Sequence, residues 1–354
     1  MRGHAPSRRD ILKASAALSL SAFATPSRAA APPAEAITPA LIAAAKHEGE
    51  LVWYTSADLQ LAEKIAKSFE QKFPGIAARV ERAGAERIFT RVGQEYSAGI
   101  HKVDAANTGD AAMFVQWKKQ GLLQAYVPED VAKNFAPDYR DPDGMYAMVR
   151  STLCIIAYNT TMVTRAQAPK SLNDLLDPKW LGKLVKANPS YSGTIITSTY
   201  QLVRVLGWHY LEKLAKQKVM QVQSATDTPK KVLLGERPVM VDGNEYNVLI
   251  AKESGKPIEP VYASEGSPII LMPSAIFAAA PHPNAARLFQ NYLFSAEAQE
   301  LFVDIGGLRS VHRLVKDKPG RTPLAAIKVM NVEPDAMLAN VEEIKRRYTQ
   351  YFGV

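Results

Sequence analysis

The sequence predicts an α/β fold with two lobes, and three observations support this prediction. Short apolar segments alternate with segments whose apolar residues recur at helical spacing, as in a parallel sheet that helices cover on both faces. This alternation stops and restarts near residue 150. About 320 residues follow the first 31, which is more than one small core accommodates.

The first block of elements begins with the apolar strand Leu51-Val52-Trp53-Tyr54. A helix follows because its apolar residues are spaced three and four apart, and Pro74-Gly75 ends it. In chain order, the block contains strands at 51–54, 76–80 and 103–106, and helices at 61–73, at 88–96 and from about 110 to 121. This order predicts a parallel sheet.

The second block begins with a long buried strand predicted at 152–158. Further strands are predicted at 183–187, 219–222, 239–241 and 258–262, with a helix at 194–205. A strand that starts at 268 would return the chain to the first lobe, where helices follow at 284–294 and 296–305. We therefore expect extended crossings near 148–152 and 266–272, with lobe 1 formed by 36–150 plus 268–305 and lobe 2 by 151–267 plus 306–354.

The N terminus predicts an export signal over residues 1–31. The motif Ser7-Arg8-Arg9-Asp10-Ile11-Leu12-Lys13 carries paired arginines, an apolar run follows over 14–24, and small residues lie at 27–30. This arrangement is typical of a signal peptide exported by the twin-arginine (Tat) pathway. The mature protein is then expected to be periplasmic. The alternative is an uncleaved amphipathic helix.

Charge and cysteine content limit the function classes. Residues 1–31 hold a net charge of +4, half of the +8 of the whole chain, so no basic surface remains that would predict nucleic-acid binding. Cys154 is the single cysteine, which excludes a disulfide within the chain. After residue 31 no apolar run is long enough to cross a bilayer.

Two candidate binding loops follow strands of the first block. The loop after the first strand carries Tyr54 and Ser56, and its backbone N–H groups would lie at a helix N terminus that suits an anion. The loop after the third strand carries Asn107. Ordinary helix capping explains both loops about equally well.

The second block supplies two further loops. In Tyr191-Ser192-Gly193-Thr194, the glycine permits close backbone approach and the hydroxyls lie at a helix start, so an anion such as phosphate, carboxylate or carbonate could bind without a lysine. Asp242-Gly243-Asn244-Glu245-Tyr246 places carboxylates, an amide and a phenol together, which suits a hard cation such as Fe(III). The alternatives are a plain N-cap for the former and a solvated acid pair at a helix start for the latter.

The sequence does not predict an enzyme. It contains no G-x-S-x-G elbow, no H-E-x-x-H and no Walker loop, and the six histidines show no metal-ligand spacing. An exported phosphate-ester hydrolase that uses the Ser192–Thr194 loop is the competing enzymatic hypothesis. A sensor that presents its ligand to a membrane receptor is another alternative.

Several stretches together resemble the periplasmic solute-binding proteins of ABC importers, in particular the iron(III)-type or family 1 extracellular branch. They occur in family order behind the export signal. The stretches are Leu51-Val52-Trp53-Tyr54-Thr55-Ser56, 61–76, Ala157-Tyr158-Asn159-Thr160, 175–180, Tyr191-Ser192-Gly193-Thr194 and 281–286. The resemblance implies a type II bilobed fold that closes on a small ligand and delivers it to an ABC transporter permease, without catalysis and as a monomer.

The resemblance also implies candidate metal ligands. Ferric relatives commonly place two adjacent tyrosines in the fourth loop, where this chain has Glu245 beside Tyr246. Ferric iron, the favoured ligand, would be held by Tyr54, Tyr191, Tyr246 and an acid, Glu245 or Asp242, with a synergistic anion at Ser192–Thr194. No other cofactor is implied.

Other relatives bind phosphonates, sugar phosphates, thiamine or polyamines. An anionic organic solute would contact Ser56, Ser192 and Thr194 with help from Arg82 or Arg150. A cationic solute would pair with Asp242 and Glu245 and stack on Tyr54. Asn107, Gly193 and Asn244 complete the set of expected ligand-binding residues.

Overall fold

The structure is a computed structural model that describes residues 30–331 and 333–354. The predicted Tat signal over 1–31 lies outside these residues except for its last two positions. None of the helices that the structure describes has the length and apolar character needed to span a bilayer.

Strands and helices alternate along the described chain, as predicted. The strands are β1 (Glu50–Thr55), β2 (Ala77–Arg82), β3 (Ala105–Asn107), β4 (Leu123–Gln124), β5 (Ala147–Leu153), β6 (Ile156–Asn159), β7 (Leu184–Ala187), β8 (Met220–Val222), β9 (Val239–Met240), β10 (Ile258–Val261), β11 (Ser267–Phe277) and β12 (Val329–Met330). The helices are α1 (Pro39–Glu48), α2 (Leu59–Lys72), α3 (Ala85–Ser97), α4 (Ala111–Lys119), α5 (Glu129–Asn134), α6 (Gly193–Leu206), α7 (Trp208–Ala215), α8 (Asp227–Leu233), α9 (Glu245–Glu253), α10 (Pro283–Phe294), α11 (Ala296–Asp304) and α12 (Pro334–Phe352).

The first sheet has the strand order β12-β11-β3-β1-β2, and β4 and β5 also pair with β11. Strand β1 is parallel to β2 and to β3, as the strand–helix order predicts. Successive residues of β1 face opposite sides, so Trp53 packs with α2 and α10 while Tyr54 packs beneath α3. The carboxyl ends of β1, β2 and β3 therefore meet at one edge.

The second sheet has the order β10-β6-β9-β7-β8. Strand β7 is parallel to β8 and β9, whereas β6 is antiparallel to β9 and β10. Its core gathers Leu184, Leu202, Leu211 and Trp180, since α6 and α7 each bury one apolar face against the strands.

Two extended strands cross between the lobes. Strands β5 and β11 run antiparallel, and β11 spans eleven residues. The long strand predicted at 152–158 is divided in the structure: β5 pairs with β11 in the first sheet, whereas β6 pairs in the second. Cys154 and Ile155 lie between them because their N–H groups donate to Pro268 and Gly243 instead of a continuous ladder.

The last helix, α12, contacts both lobes. It packs against α4 of the first lobe and against α6 and α7 of the second, with Met337 and Ile344 buried at the contact. Lys345 forms an ion pair with Glu86 of α3 at 3.3 Å. The sequence analysis did not predict this helix and assigned its residues to lobe 2 alone.

Candidate functional site

A cavity of about 500 Å³ lies between the two lobes. Its wall is formed by loops that follow strands of both sheets and by residues of the crossing strands. From the first lobe and the crossings it is lined by Ser56, Asp58, Leu59, Arg82, Gly84, Ala85, Glu86, Arg87, Gly109, Arg150 and Met272. From the second it is lined by Tyr191, Ser192, Gly193, Thr194, Gln223, Ser224, Ala225, Thr226, Asp227, Lys230, Asn244, Tyr246 and Asn247. This volume suits a small molecule.

Arg150 is a buried cation in the wall of this cavity, with only 2% of its surface exposed. Its Nε and Nη2 atoms donate to one oxygen, Oδ1 of Asn107, at 3.0 and 2.8 Å. No carboxylate of the described residues neutralises it, and burial lowers the pKa of Arg150 to about 10. Arg150 is still charged at neutral pH, and a buried unpaired charge is costly. The uncompensated charge of Arg150 therefore favours an anionic ligand, although the carboxylates of Asp58, Glu86 and Asp227 also line the cavity.

A bulge in the crossing strands positions Arg150. Met272 pairs with Arg150 but Pro273 pairs with Met148, so Val149 is an extra residue on β5. The bulge takes the carbonyl of Val149 out of the hydrogen-bond ladder between β5 and β11. This carbonyl instead accepts a hydrogen bond from Nε2 of Gln299 at 2.7 Å. Bulges commonly redirect a side chain beside a functional site, and this one lies immediately before the arginine of the cavity.

Asn107 is fully buried and does not line the cavity. Its Nδ2 donates to the carbonyl of Pro273 at 2.7 Å, and its Oδ1 holds Arg150. The predicted direct ligand contact of Asn107 is therefore not present in this geometry. The residue instead supports the side chain that does line the cavity.

The Ser192–Thr194 loop lines the cavity at the N terminus of α6. Ser192 is the N-cap residue, yet its side chain makes no capping hydrogen bond. A Cβ atom at Gly193 would lie 2.8 Å from Cβ of Asp110 and 2.9 Å from Cβ of Ala85. Only glycine therefore lets this loop approach the first lobe so closely.

Ser56 lines the cavity from the first lobe. Its Oγ accepts from the backbone N–H of Gly109 at 3.2 Å, which joins the loops after β1 and β3. Asp58, not Ser56, caps α2 by accepting from the N–H of Gln60. Helix capping by Ser56, the alternative to a ligand contact, is therefore not observed.

Three of the predicted ligand-binding residues lie in the second-lobe wall of the cavity: Tyr191, Asn244 and Tyr246. Tyr191 is 56% exposed at the cavity, and Tyr246 is buried with only 5% exposed. The Tyr246 hydroxyl accepts from Nδ2 of Asn244 at 3.3 Å. Burial raises the pKa of Tyr246, and the positive charges of Arg150 and Arg82 oppose this rise. This phenol is neutral at neutral pH and can donate a hydrogen bond.

Tyr54 does not line the cavity. It is buried beneath α3, where its hydroxyl donates to Oε1 of Glu95 at 2.8 Å and Arg91 lies 4.5 Å from its ring centre. Burial and Glu95 raise the pKa of Tyr54, which opposes formation of the tyrosinate that ferric iron needs. The predicted ligand role of Tyr54 has no support in this geometry.

Glu245 and Asp242 are also engaged elsewhere. Glu245 is 1% exposed and accepts from Nε and Nη2 of Arg309 at 2.9 and 2.8 Å. Asp242 accepts from the fully buried Lys186 at 2.6 Å. Neither carboxylate lines the cavity. The four predicted iron ligands are therefore not brought together: Tyr191 and Tyr246 line the cavity, whereas Tyr54 and Glu245 do not.

The loop at 223–227 also lines the cavity and was missed by the sequence analysis. It follows β8 and precedes α8, and it carries Gln223, Ser224 and Thr226. Short polar residues between a strand and a helix are the same signal that identified the other four loops. The strand at 219–222 was predicted, but the polar loop that follows it was not identified as a candidate site.

Asp110 lies where the lobes touch, and its titration gives a testable prediction. Burial and the nearby Glu86 raise the pKa of Asp110 to about 7, while the N–H of Ala112 and Lys345 oppose the rise. Because the folded protein holds this proton more tightly than the unfolded chain, stability should fall as pH rises from about 4 to about 7. The loss attributable to this group is at most about 4 kcal/mol.

Asp110→Asn is therefore expected to leave stability near that of wild type at about pH 4 and to exceed it by up to about 4 kcal/mol near pH 8. Asparagine keeps an oxygen that can cap α4, where Asp110 accepts from the N–H of Ala112 at 2.9 Å. Urea denaturation of both proteins at the two pH values measures the difference. An equal difference at both values would contradict the prediction.

Comparison with known proteins identifies the family. A family model described as bacterial extracellular solute-binding protein matches residues 103–345, more than half of the chain. An uncharacterized protein from Haemophilus influenzae is 25% identical over 272 residues, which cover 74% of this chain and 78% of that protein. An Fe(3+)-binding periplasmic protein from Serratia marcescens is 23% identical over 258 residues, 68% of this chain and 73% of that protein.

Solved structures show the same fold. The periplasmic binding protein AfuA from Actinobacillus pleuropneumoniae, with fructose-6-phosphate bound, has a TM-score of 0.79 at 23% identity and covers 86% of this chain and 99% of its own. Iron-bound HitA from Pseudomonas aeruginosa has a TM-score of 0.75 at 21% identity, with 84% and 99% covered. The predicted bilobed α/β fold is confirmed, and with the family match over residues 103–345, this chain belongs to the bacterial extracellular solute-binding proteins.

Proposed function

We propose that this protein is the periplasmic receptor of an ABC importer and that its solute is an organic anion with a hydroxylated body. The anionic group would bind at Arg150, and the body would occupy the rest of the cavity. The solute-binding family, shared with periplasmic relatives, supports the transport role.

The buried, unpaired Arg150 is the observation that carries this proposal. Among residues 30–331 and 333–354, the hydrogen-bond partner of its guanidinium is a neutral amide oxygen alone, so its charge is available to a ligand. Arg82 also lines the cavity but is exposed to solvent, and its Nε donates to the carbonyl of Ala57 at 3.3 Å. An anion that accepts charge-assisted hydrogen bonds here would be held more strongly than a neutral solute.

The remaining wall supports a solute larger than an inorganic anion. Its side chains are rich in neutral hydrogen-bonding groups that match hydroxyls of a ligand. These groups are Ser56, Ser192, Thr194, Gln223, Ser224, Thr226, Asn244 and Asn247. The volume of about 500 Å³ is in the range of organic ligands. The likeness to AfuA, bound to fructose-6-phosphate, agrees with a solute of this type.

Ferric iron is the second candidate, because Tyr191 and Tyr246 both line the cavity and the Serratia relative is named for Fe(3+) binding. Against it, Tyr54 and Glu245 are engaged with Glu95 and Arg309. Within residues 30–331 and 333–354, no group of three or more His, Cys, Asp or Glu side chains could hold a metal ion. A positive Arg150 also repels a cation.

The proposed mechanism is capture without reaction. The solute enters between the lobes, the lobes close around it by bending at β5 and β11, and the closed form docks on the permease. Export by the Tat pathway and a monomeric state belong to the same proposal. Turnover of a generic phosphomonoester that Ser192→Ala abolishes would instead identify a hydrolase.

The test is a calorimetric titration and a thermal shift of the mature protein with fructose 6-phosphate, fructose and Fe(III)-citrate. A ligand that binds only the folded state raises Tm. We expect a rise with the phosphorylated sugar and none with fructose, because only the former presents an anion to Arg150. A rise with Fe(III) and a visible tyrosinate colour that Tyr246→Phe removes would establish iron instead.

A further inference from the structure

We propose that Asn107, which does not touch the solute, determines the charge preference of the cavity by holding Arg150 with a neutral oxygen. This inference rests on the proposed binding of an anion at Arg150. Asn107 is thus a positioning residue, and it makes the cleft selective for anions over neutral solutes of the same shape.

The amide of Asn107 connects three strands. Asn107 ends β3, Arg150 belongs to β5, and Pro273 belongs to β11, so one amide joins a strand of the first lobe to both crossing strands. Its Oδ1 accepts from Nε and Nη2 of Arg150 and its Nδ2 donates to the carbonyl of Pro273 at 2.7 Å. The carbonyl fixes which way the amide points, because only its nitrogen can donate to that oxygen. The oxygen must therefore face the arginine.

The amide of Asn107 is neutral and so preserves the charge of Arg150. A carboxylate of the same shape would make the same two hydrogen bonds to Arg150 but would neutralise its charge inside the protein. The asparagine accepts the same hydrogen bonds and leaves the full positive charge for the ligand. Asn107 and Arg150 are both at most 2% exposed, so water screens the charge of Arg150 weakly. An amide and a carboxylate at position 107 would therefore produce very different electrostatic potentials at the ligand.

Asn107 also orients the guanidinium of Arg150. Nε and Nη2 form one edge of the planar guanidinium, and Asn107 occupies that edge. The remaining nitrogen, Nη1, has no partner among the described residues, and Arg150 lines the cavity. Because Asn107 fixes one edge of the guanidinium, the other donors can bind a ligand with little further loss of side-chain entropy.

The experiment compares Asn107→Asp, Asn107→Ala and wild type, titrated with inorganic phosphate, fructose 6-phosphate and fructose. We expect Asn107→Asp to weaken binding of both anions by about 30-fold or more, because it neutralises Arg150. Asn107→Ala should weaken them by only about three- to tenfold, because it frees the arginine but keeps its charge. The dependence of Kd on ionic strength should be smaller in Asn107→Asp than in Asn107→Ala, because aspartate removes one of the positive charges that attract the anion.

Both variants lose the hydrogen bond to the carbonyl of Pro273, so its loss does not by itself explain a difference between them. If alanine weakens anion binding as much as aspartate, or if aspartate leaves the salt dependence intact, Asn107 does not set the charge preference. If Asn107→Asp does not fold, unchanged anion affinity in folded Asn107→Ala overturns the inference by itself. A wild-type protein that binds neither anion overturns the proposed function as well, which distinguishes the two failures.

Discussion

Arg150→Met is expected to weaken binding of an anionic solute by about 30-fold or more, since removing one partner of a buried charged contact typically costs about 2–5 kcal/mol. Methionine has a similar length and can keep the contact with Phe302, whose ring centre lies 5.8 Å from the guanidinium carbon. The stability of the unliganded protein should change little, because removing a buried charge that has no carboxylate partner offsets the loss of both donors to the buried Oδ1 of Asn107. Calorimetric titration with fructose 6-phosphate and urea denaturation measure the two effects.

Arg87→Met is the matched control. Arg87 also lines the cavity but is exposed to solvent, so an interaction with the solute would be screened and small. We expect less than about a threefold change in Kd. Equal losses in the two variants would mean that the anion binds at the mouth of the cavity and not at Arg150.

Glu245→Gln is expected to lower the free energy of unfolding by about 3 kcal/mol, because breaking a buried ion pair leaves Arg309 poorly compensated. The carboxylate accepts two hydrogen bonds from Arg309 and one from the hydroxyl of Tyr262 at 2.6 Å. Arg309 keeps its contact with Asp317 at 2.9 Å. We therefore expect the loss of stability to lie at the low end of the range for a broken buried ion pair. Urea denaturation provides the measurement.

Asp317→Asn is the control for this variant, since the Asp317 side chain is 28% exposed and its pair with Arg309 should contribute about 1 kcal/mol or less. Affinity for the solute should change little in either variant, because neither carboxylate lines the cavity. A Glu245→Gln protein of normal stability that loses an Fe(III)-induced thermal shift would show instead that Glu245 is a metal ligand.

Prediction from sequence worked well for the elements with strong local signals. Helix α2 buries Leu61, Ile65 and Phe69 on one face, and the spacing of these residues was sufficient to predict it. The crossings predicted near 148–152 and 266–272 overlap β5 and β11. The division between β5 and β6 was missed because 152–158 is continuously apolar, and only pairing with different sheets separates the two strands.

The positions of the loops around the cavity were predictable for a similar reason. Polar residues that follow strands, such as Ser56 and Ser192, lie at the carboxyl edge in any sheet of this topology. Which neighbouring side chain enters the cavity was not predictable. Glu245 and Tyr246 are adjacent at the start of α9, about 100° apart around the helix, and one contacts Arg309 while the other lines the cavity.

The sequence by itself determined the alternating α/β architecture, the two crossings and the set of polar loops, because these follow from local spacing and turn chemistry. Only the tertiary structure decided that Arg150 is the charged group of the cavity and that Asn107 supports it. A bulge between distant strands redirects the arginine, and the amide that holds it lies 43 residues earlier in the chain. The charge of a buried side chain and the direction in which it points depend on such long-range contacts and on burial, which the local sequence does not encode.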